Sequence, residues 1–145
     1  MPPHAAHLCV SPDGRLAYLS VHKNASTTLN FHFQRRLGWG RAWPEWFGQA
    51  SKLKDRVVDP DPEEVLVVTR RDPDRFFSGL ATIDYSHDWA AAPWDDPHLW
   101  PLGRFLAQWQ QFEDRFVFVD IDDINGWLVG HGLPPTDDRL NARKL

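Results

Sequence analysis

Cysteine is nearly missing from this chain: there is one, Cys9, among 145 residues. A single cysteine forms no internal disulfide and builds no cysteine-rich metal site. Positive charge is short as well, with 16 Lys and Arg against 20 Asp and Glu and a net charge of −4. A general nucleic-acid binder is usually basic, so no nucleic-acid partner is expected, and any anion site must be a local basic cluster. No apolar run approaches the roughly 20 residues that span a bilayer, so no membrane association is expected. The N-terminal Met1-Pro2-Pro3-His4-Ala5-Ala6-His7-Leu8 lacks a basic region and a long apolar core. No secretory signal is therefore expected, and the expected compartment is cytoplasmic. Internal repeats and low-complexity segments are also lacking. The 7 histidines are scattered, so no metal site is expected.

What is present fits a soluble globular chain. Hydrophobic residues make up 42% and charged residues 25%, enough of each for one core and a solvated surface. The length suits a single domain over residues 1–145. The 8 tryptophans are many for this length. Some are expected to line a ligand cleft and others to pack the core.

One stretch organises the rest. Leu16-Ala17-Tyr18-Leu19-Ser20-Val21 reads as a buried strand that stops at His22-Lys23-Asn24-Ala25. Ser26-Thr27-Thr28 then opens a helical pattern, with apolar Leu29, Phe31, Phe33 and Leu37 and exposed Arg35 and Arg36. A helix start has unpaired N–H groups and the positive end of the dipole. Ser and Thr there can cap the helix and donate to a bound oxyanion, and Lys23 adds a full charge. The nucleotide P-loop G-x-x-x-x-G-K-[ST] is not present: the stretch has no glycine, and Lys23 precedes the hydroxyls by three residues.

The remaining elements follow in order. Residues 7–21 read as a hairpin around Ser11-Pro12-Asp13-Gly14. Gly38 suits a helix C-cap. Residues 39–55 read as an irregular or short-helical connection over one face of the sheet, of the kind that carries substrate contacts. Asp59-Pro60-Asp61-Pro62 is a break. Glu64 to Thr69 is a near-continuous β-branched run, as in a strand buried on both faces. It ends in Arg70-Arg71-Asp72-Pro73, and residues 74–83 fit a helix. Residues 84–98 form an acidic, aromatic loop. Residues 99–113 read as an amphipathic helix with Leu102, Phe105, Leu106, Trp109 and Phe112 inward. Phe116 to Val119 is a third buried strand, and Ile124 to Val129 a short helix ended by Gly130-His131-Gly132. Strands alternating with helices predict a three-layer α/β fold with a central, mainly parallel sheet. Ligands in such sheets bind at the carboxyl ends of the strands, where both basic clusters fall.

Two of these motifs, in this order, resemble the sulfotransferase family that uses 3′-phosphoadenosine-5′-phosphosulfate (PAPS). His22-Lys23-Asn24-Ala25-Ser26-Thr27-Thr28 looks like that family's 5′-phosphosulfate loop, most nearly the carbohydrate-type form, with His22 in place of the usual proline. Val68 to Ser78 looks like its 3′-phosphate motif, a strand ending in Arg-Asp-Pro with Arg and Ser on the following helix. The spacing is one residue short, so counting from Ser78 places the phosphate-binding arginine at Arg70, and counting from Asp72-Pro73 places it at Arg71. A weaker third match joins Phe116 to Asp120, Ile124, Leu128 and Leu140-Asn141-Ala142. The chain is shorter than most family members, so reduced substrate-binding insertions are expected.

The resemblance implies a P-loop NTPase-like sulfotransferase fold and sulfuryl transfer from PAPS, as co-substrate, to a hydroxyl-bearing small molecule or carbohydrate, without a metal. It implies that Lys23, Asn24, Ala25, Ser26, Thr27 and Thr28 hold the 5′-phosphosulfate. Arg70 or Arg71, with Ser78, would hold the 3′-phosphate bidentately. A His or Glu base is implied, with His32, Glu45, His87 and His98 as candidates. His98 leads, because Asp96 to Pro101 resembles a His-x-x-Pro segment of carbohydrate sulfotransferases. Two other readings stay open: a P-loop nucleotide kinase or NTPase, in which Asp120 would be the metal-holding acid, and a non-enzymatic module that binds PAP or another phosphoanion.

Overall fold

In the computed structural model, residues 5–21, 26–47, 56–70 and 102–136 are described. Lys23, Asn24, Ala25, Arg71, Ser78, His87 and His98 lie outside them, as do the expected helix at 74–83, the loop at 84–98 and the Leu140-Asn141-Ala142 tail.

Five strands form one sheet: β1 (Leu8–Val10), β2 (Leu16–Leu19), β3 (Gly40–Ala42), β4 (Glu64–Thr69) and β5 (Phe116–Asp120). Their order across the sheet is β3-β1-β2-β4-β5. The pairs β2/β4 and β4/β5 are parallel, and β1/β2 and β1/β3 are antiparallel. The sheet is therefore mixed, which corrects the expected mainly parallel one. The cause is local. The turn between β1 and β2 is too short for a crossover, so those strands must run in opposite directions. Gly14 takes φ +76° there, its N–H donates to the Ser11 carbonyl at 2.8 Å, and Asp13 Oδ1 accepts from the Ser11 hydroxyl at 2.6 Å. The Ser11 hydroxyl first, and then the Arg15 N–H, which donates to the same carboxylate at 3.0 Å, hold the Asp13 pKa below the usual range. Because β1 alone runs against its neighbours, β3, β2, β4 and β5 all end at one edge of the sheet.

Helices cover both faces. On one side lie α1 (Ser26–Asn30), which continues in wider π turns through Phe31–Arg36, and α3 (Ile124–Gly130). They close a core of Cys9, Tyr18, Leu29, Phe33, Trp39, Leu66, Val68, Ile121, Ile124 and Leu128. Leu29 and Phe33, four residues apart, share the buried stripe of α1, while Phe31 turns out to solvent. Gly38 at φ +71° ends the helix, and the Trp39 N–H returns to the Phe33 carbonyl at 2.9 Å. On the other side, α2 (Leu102–Leu106) continues as a 3₁₀ segment, Ala107–Arg115, over a core that includes Leu19, Val65, Val67, Phe105, Trp109 and Phe112. Within the described residues, the expected amphipathic helix is thus α-helical over Leu102–Leu106 only. Its buried spacing persists, but the backbone leaves helical φ/ψ at Trp109 and Phe112.

Two further expectations are corrected. The stretch after Gly38 contains an edge strand, β3, which pairs with β1 from Leu8↔Ala42 to Val10↔Gly40. β5 is not buried throughout: Phe118 is 56% exposed, while Phe116 and Val119 pack partly against the two cores. Among the described residues, no helix is long and apolar enough to cross a membrane.

Alternation within β1 and β2 places Cys9 and Tyr18 in the core beneath α1, both fully buried. Burial pushes the Cys9 thiol up to about 12, against the smaller opposing effects of Gln34 and Arg41. Burial likewise raises the Tyr18 phenol above its ordinary value. Cys9 should therefore resist a thiol reagent at pH 8 in the native protein and react on unfolding; fast native labelling would contradict its placement. The sign for stability follows. The unfolded thiol ionises at its ordinary value near 9.0, while the folded thiol stays protonated until about 12. Folding stability should therefore fall as pH rises through that window.

Candidate functional site

The carboxyl edge of the sheet gathers the residues that can hold an anion. β2 ends at Leu19, Ser20 and Val21 are buried behind it, and α1 begins at Ser26. Ser26 and Thr28 are half-buried and Thr27 is exposed, so the first turn of α1 is reachable from solvent. Its first N–H groups have no partner within the helix. β4, the parallel neighbour of β2, ends at Thr69, and half-buried Arg70 follows it directly. A helix start and a guanidinium thus lie at the ends of adjacent strands. That arrangement can hold two negatively charged groups of one ligand.

β5 ends at the same edge, with Asp120 paired to Thr69. Asp120 Oδ1 accepts from the Asp122 N–H at 3.0 Å and so caps the turn before α3. The acid required by the kinase reading is thereby engaged as a cap.

The base candidates divide. His32 is buried, and its Nε2–H donates to the Pro134 carbonyl at 2.8 Å. Pro134 follows His131, whose Nε2 lies 2.7 Å from Glu64 Oε2 at the start of β4. His32 thus ties α1 to the segment after α3. Glu45 is exposed in the loop after β3, at the carboxyl edge. It is separated from β2 by β1, two strand spacings or about 10 Å.

His7 connects these parts, and no sequence signal marked it. Its carbonyl accepts from the Ser20 N–H at 3.0 Å, and its ring lies 4.9 Å from that of Trp43. Gln34 Nε2–H donates to its ring nitrogen at 3.0 Å. Trp43 in turn lines a cavity of about 430 Å³ together with Glu45, Phe47, Asp59, Trp109 and Phe112. The Trp-rich composition of residues 39–50 pointed to this region. Asp59 read only as part of a break, and Trp109 and Phe112 only as a helix core. Comparison of the chain with family profiles, curated proteins and solved structures finds no match.

Proposed function

We propose that the protein is a sulfotransferase of P-loop NTPase-like fold that moves a sulfuryl group from PAPS to a hydroxyl acceptor. The observation that carries this reading is the shared edge: the Ser26 helix start and Arg70 close two neighbouring parallel strands. PAPS has a phosphosulfate at one end and a 3′-phosphate at the other, and it needs two such cationic positions. Lys23 with Asn24, Ala25 and Ser26 to Thr28 takes the phosphosulfate. Arg70 or Arg71, with Ser78, takes the 3′-phosphate.

In the transfer, the acceptor oxygen bonds to sulfur as the bond from sulfur to the phosphate oxygen breaks. The acceptor proton passes to a base, and PAP leaves with the negative charge on its phosphate. Catalysis of this kind is positioning plus electrostatics. Lys23 and the N–H groups of the Ser26 turn are the groups we assign to the oxygen on which charge builds. The base falls to Glu45, His87 or His98, since His32 is engaged by Pro134.

Calorimetry with PAP and AMP tests the reading. PAP should bind, and at a hundred times its Kd it should stabilise the fold by about 2.7 kcal/mol, which a melting curve reads directly. AMP should bind at least about tenfold more weakly, because it lacks the phosphate that the arginine holds. Equal affinities for the two nucleotides would remove the role given to Arg70, Arg71 and Ser78.

A further inference from the structure

The cavity beside β3 has the size of a small-molecule site, about 430 Å³. Trp43 and Phe47 form one wall, with ring centroids 5.1 Å apart. Trp109 and Phe112 form the floor, stacked at 6.0 Å and both buried. Among the described residues, three charged ones also line it, Glu45, Asp59 and Arg56. Of these described charges, two are carboxylates and one is a guanidinium, a net negative set.

One detail sets it apart from a gap in the packing. Among the described residues, Asp59 is the one non-glycine with positive φ, at +50°. Left-handed backbone costs an L-residue roughly 1 kcal/mol, less for Asp than for most, and such residues cluster at ligand clamps.

We infer that this cavity binds a small organic cation, an amine or a quaternary ammonium compound. Aromatic ring faces attract an ammonium group, and Glu45 and Asp59 supply its countercharge. An anion would meet two carboxylates. A neutral ligand would gain nothing from them. A carboxylate that holds an ammonium is not free to take a proton, so Glu45 serves as a binding residue and the base falls to His87 or His98. The path from Ser20 through His7 to Trp43 puts the cavity on the edge assigned to PAPS. If that assignment holds, a hydroxyl on the bound cation is the acceptor; the binding itself stands without it.

The test uses the full chain without nucleotide. Choline and its uncharged isostere 3,3-dimethylbutan-1-ol are titrated while tryptophan fluorescence and heat are recorded. Choline should bind with a fluorescence change, at least about tenfold more tightly than the isostere. Glu45→Gln should weaken choline several-fold without moving the melting temperature, because Glu45 is exposed. No binding at about 10 mM choline, equal affinity for the two ligands, or an unchanged Kd in Glu45→Gln would each overturn the inference. Neither probe is a nucleotide, so failure here leaves the PAP result standing, and failure of PAP binding leaves this one.

Discussion

Trp109→Ala should lower the unfolding free energy by about 3–5 kcal/mol, the usual cost of deleting a large buried aromatic. Trp109 is 2% exposed, packs against Phe112 and closes the core beneath the sheet on the α2 side. Its Nε1–H also donates to the Ala6 carbonyl at 2.8 Å, which ties the chain before β1 to the 3₁₀ segment. Gln108 Oε1 accepts from the Ala6 N–H at 2.7 Å, so two neighbouring side chains hold that residue. In a domain of this size the loss corresponds to a fall in melting temperature of roughly 10 °C or more. Trp109→Phe keeps most of the ring and loses the donor, so it should cost about 1–2 kcal/mol. Urea denaturation followed by circular dichroism measures both. A loss under about 1 kcal/mol for Trp109→Ala would show that the 3₁₀ segment does not close this core.

Lys23→Ala should lower turnover by roughly 10²–10³-fold, the scale of removing one preorganised group that stabilises developing charge. PAP affinity should fall much less. The ammonium group acts most strongly as the leaving phosphate oxygen gains charge, so its loss appears in kcat more than in ground-state binding. Labelled PAPS with an acceptor gives turnover, and calorimetry gives affinity. Near-normal turnover in the variant would withdraw Lys23 from the reaction. A parallel loss of PAP affinity and turnover would make it a binding group only.

The parts of the fold legible from sequence are those in which one physical signal dominates. Glu64 to Thr69 reads as a strand because a β-branched run buried on both faces has little alternative, and four of its six residues are buried. The first hairpin reads from Ser11-Pro12-Asp13-Gly14 because the turn requires a glycine at positive φ, and Gly14 supplies it. β3 was hidden. Gly40–Ala42 has three residues, no β-branched side chain and a run of Trp and Pro around it, and only its pairing with β1 makes it a strand. Direction was hidden for a related reason. A hairpin fixes β1 against β2, but nothing local says that β3 returns to the far side of β1.

At the site, the Ser26 helix start and Arg70 were legible as basic or hydroxyl-rich residues just past buried strands. The cavity was less so. Its floor is built from Trp109 and Phe112, which carry the same spacing as any helix core, and Asp59 becomes visible only through its backbone. His32 illustrates the converse: a histidine near a promising loop, engaged instead by a carbonyl 102 positions along the chain.

The most direct measurement is a crystal structure of the protein with PAP. The account predicts the 5′-phosphate within hydrogen-bond distance of the N–H groups of Ser26 to Thr28 and the 3′-phosphate on Arg70 or Arg71. PAP seated in the Trp43 cavity, or held with its phosphates away from the ends of β2 and β4, would contradict it.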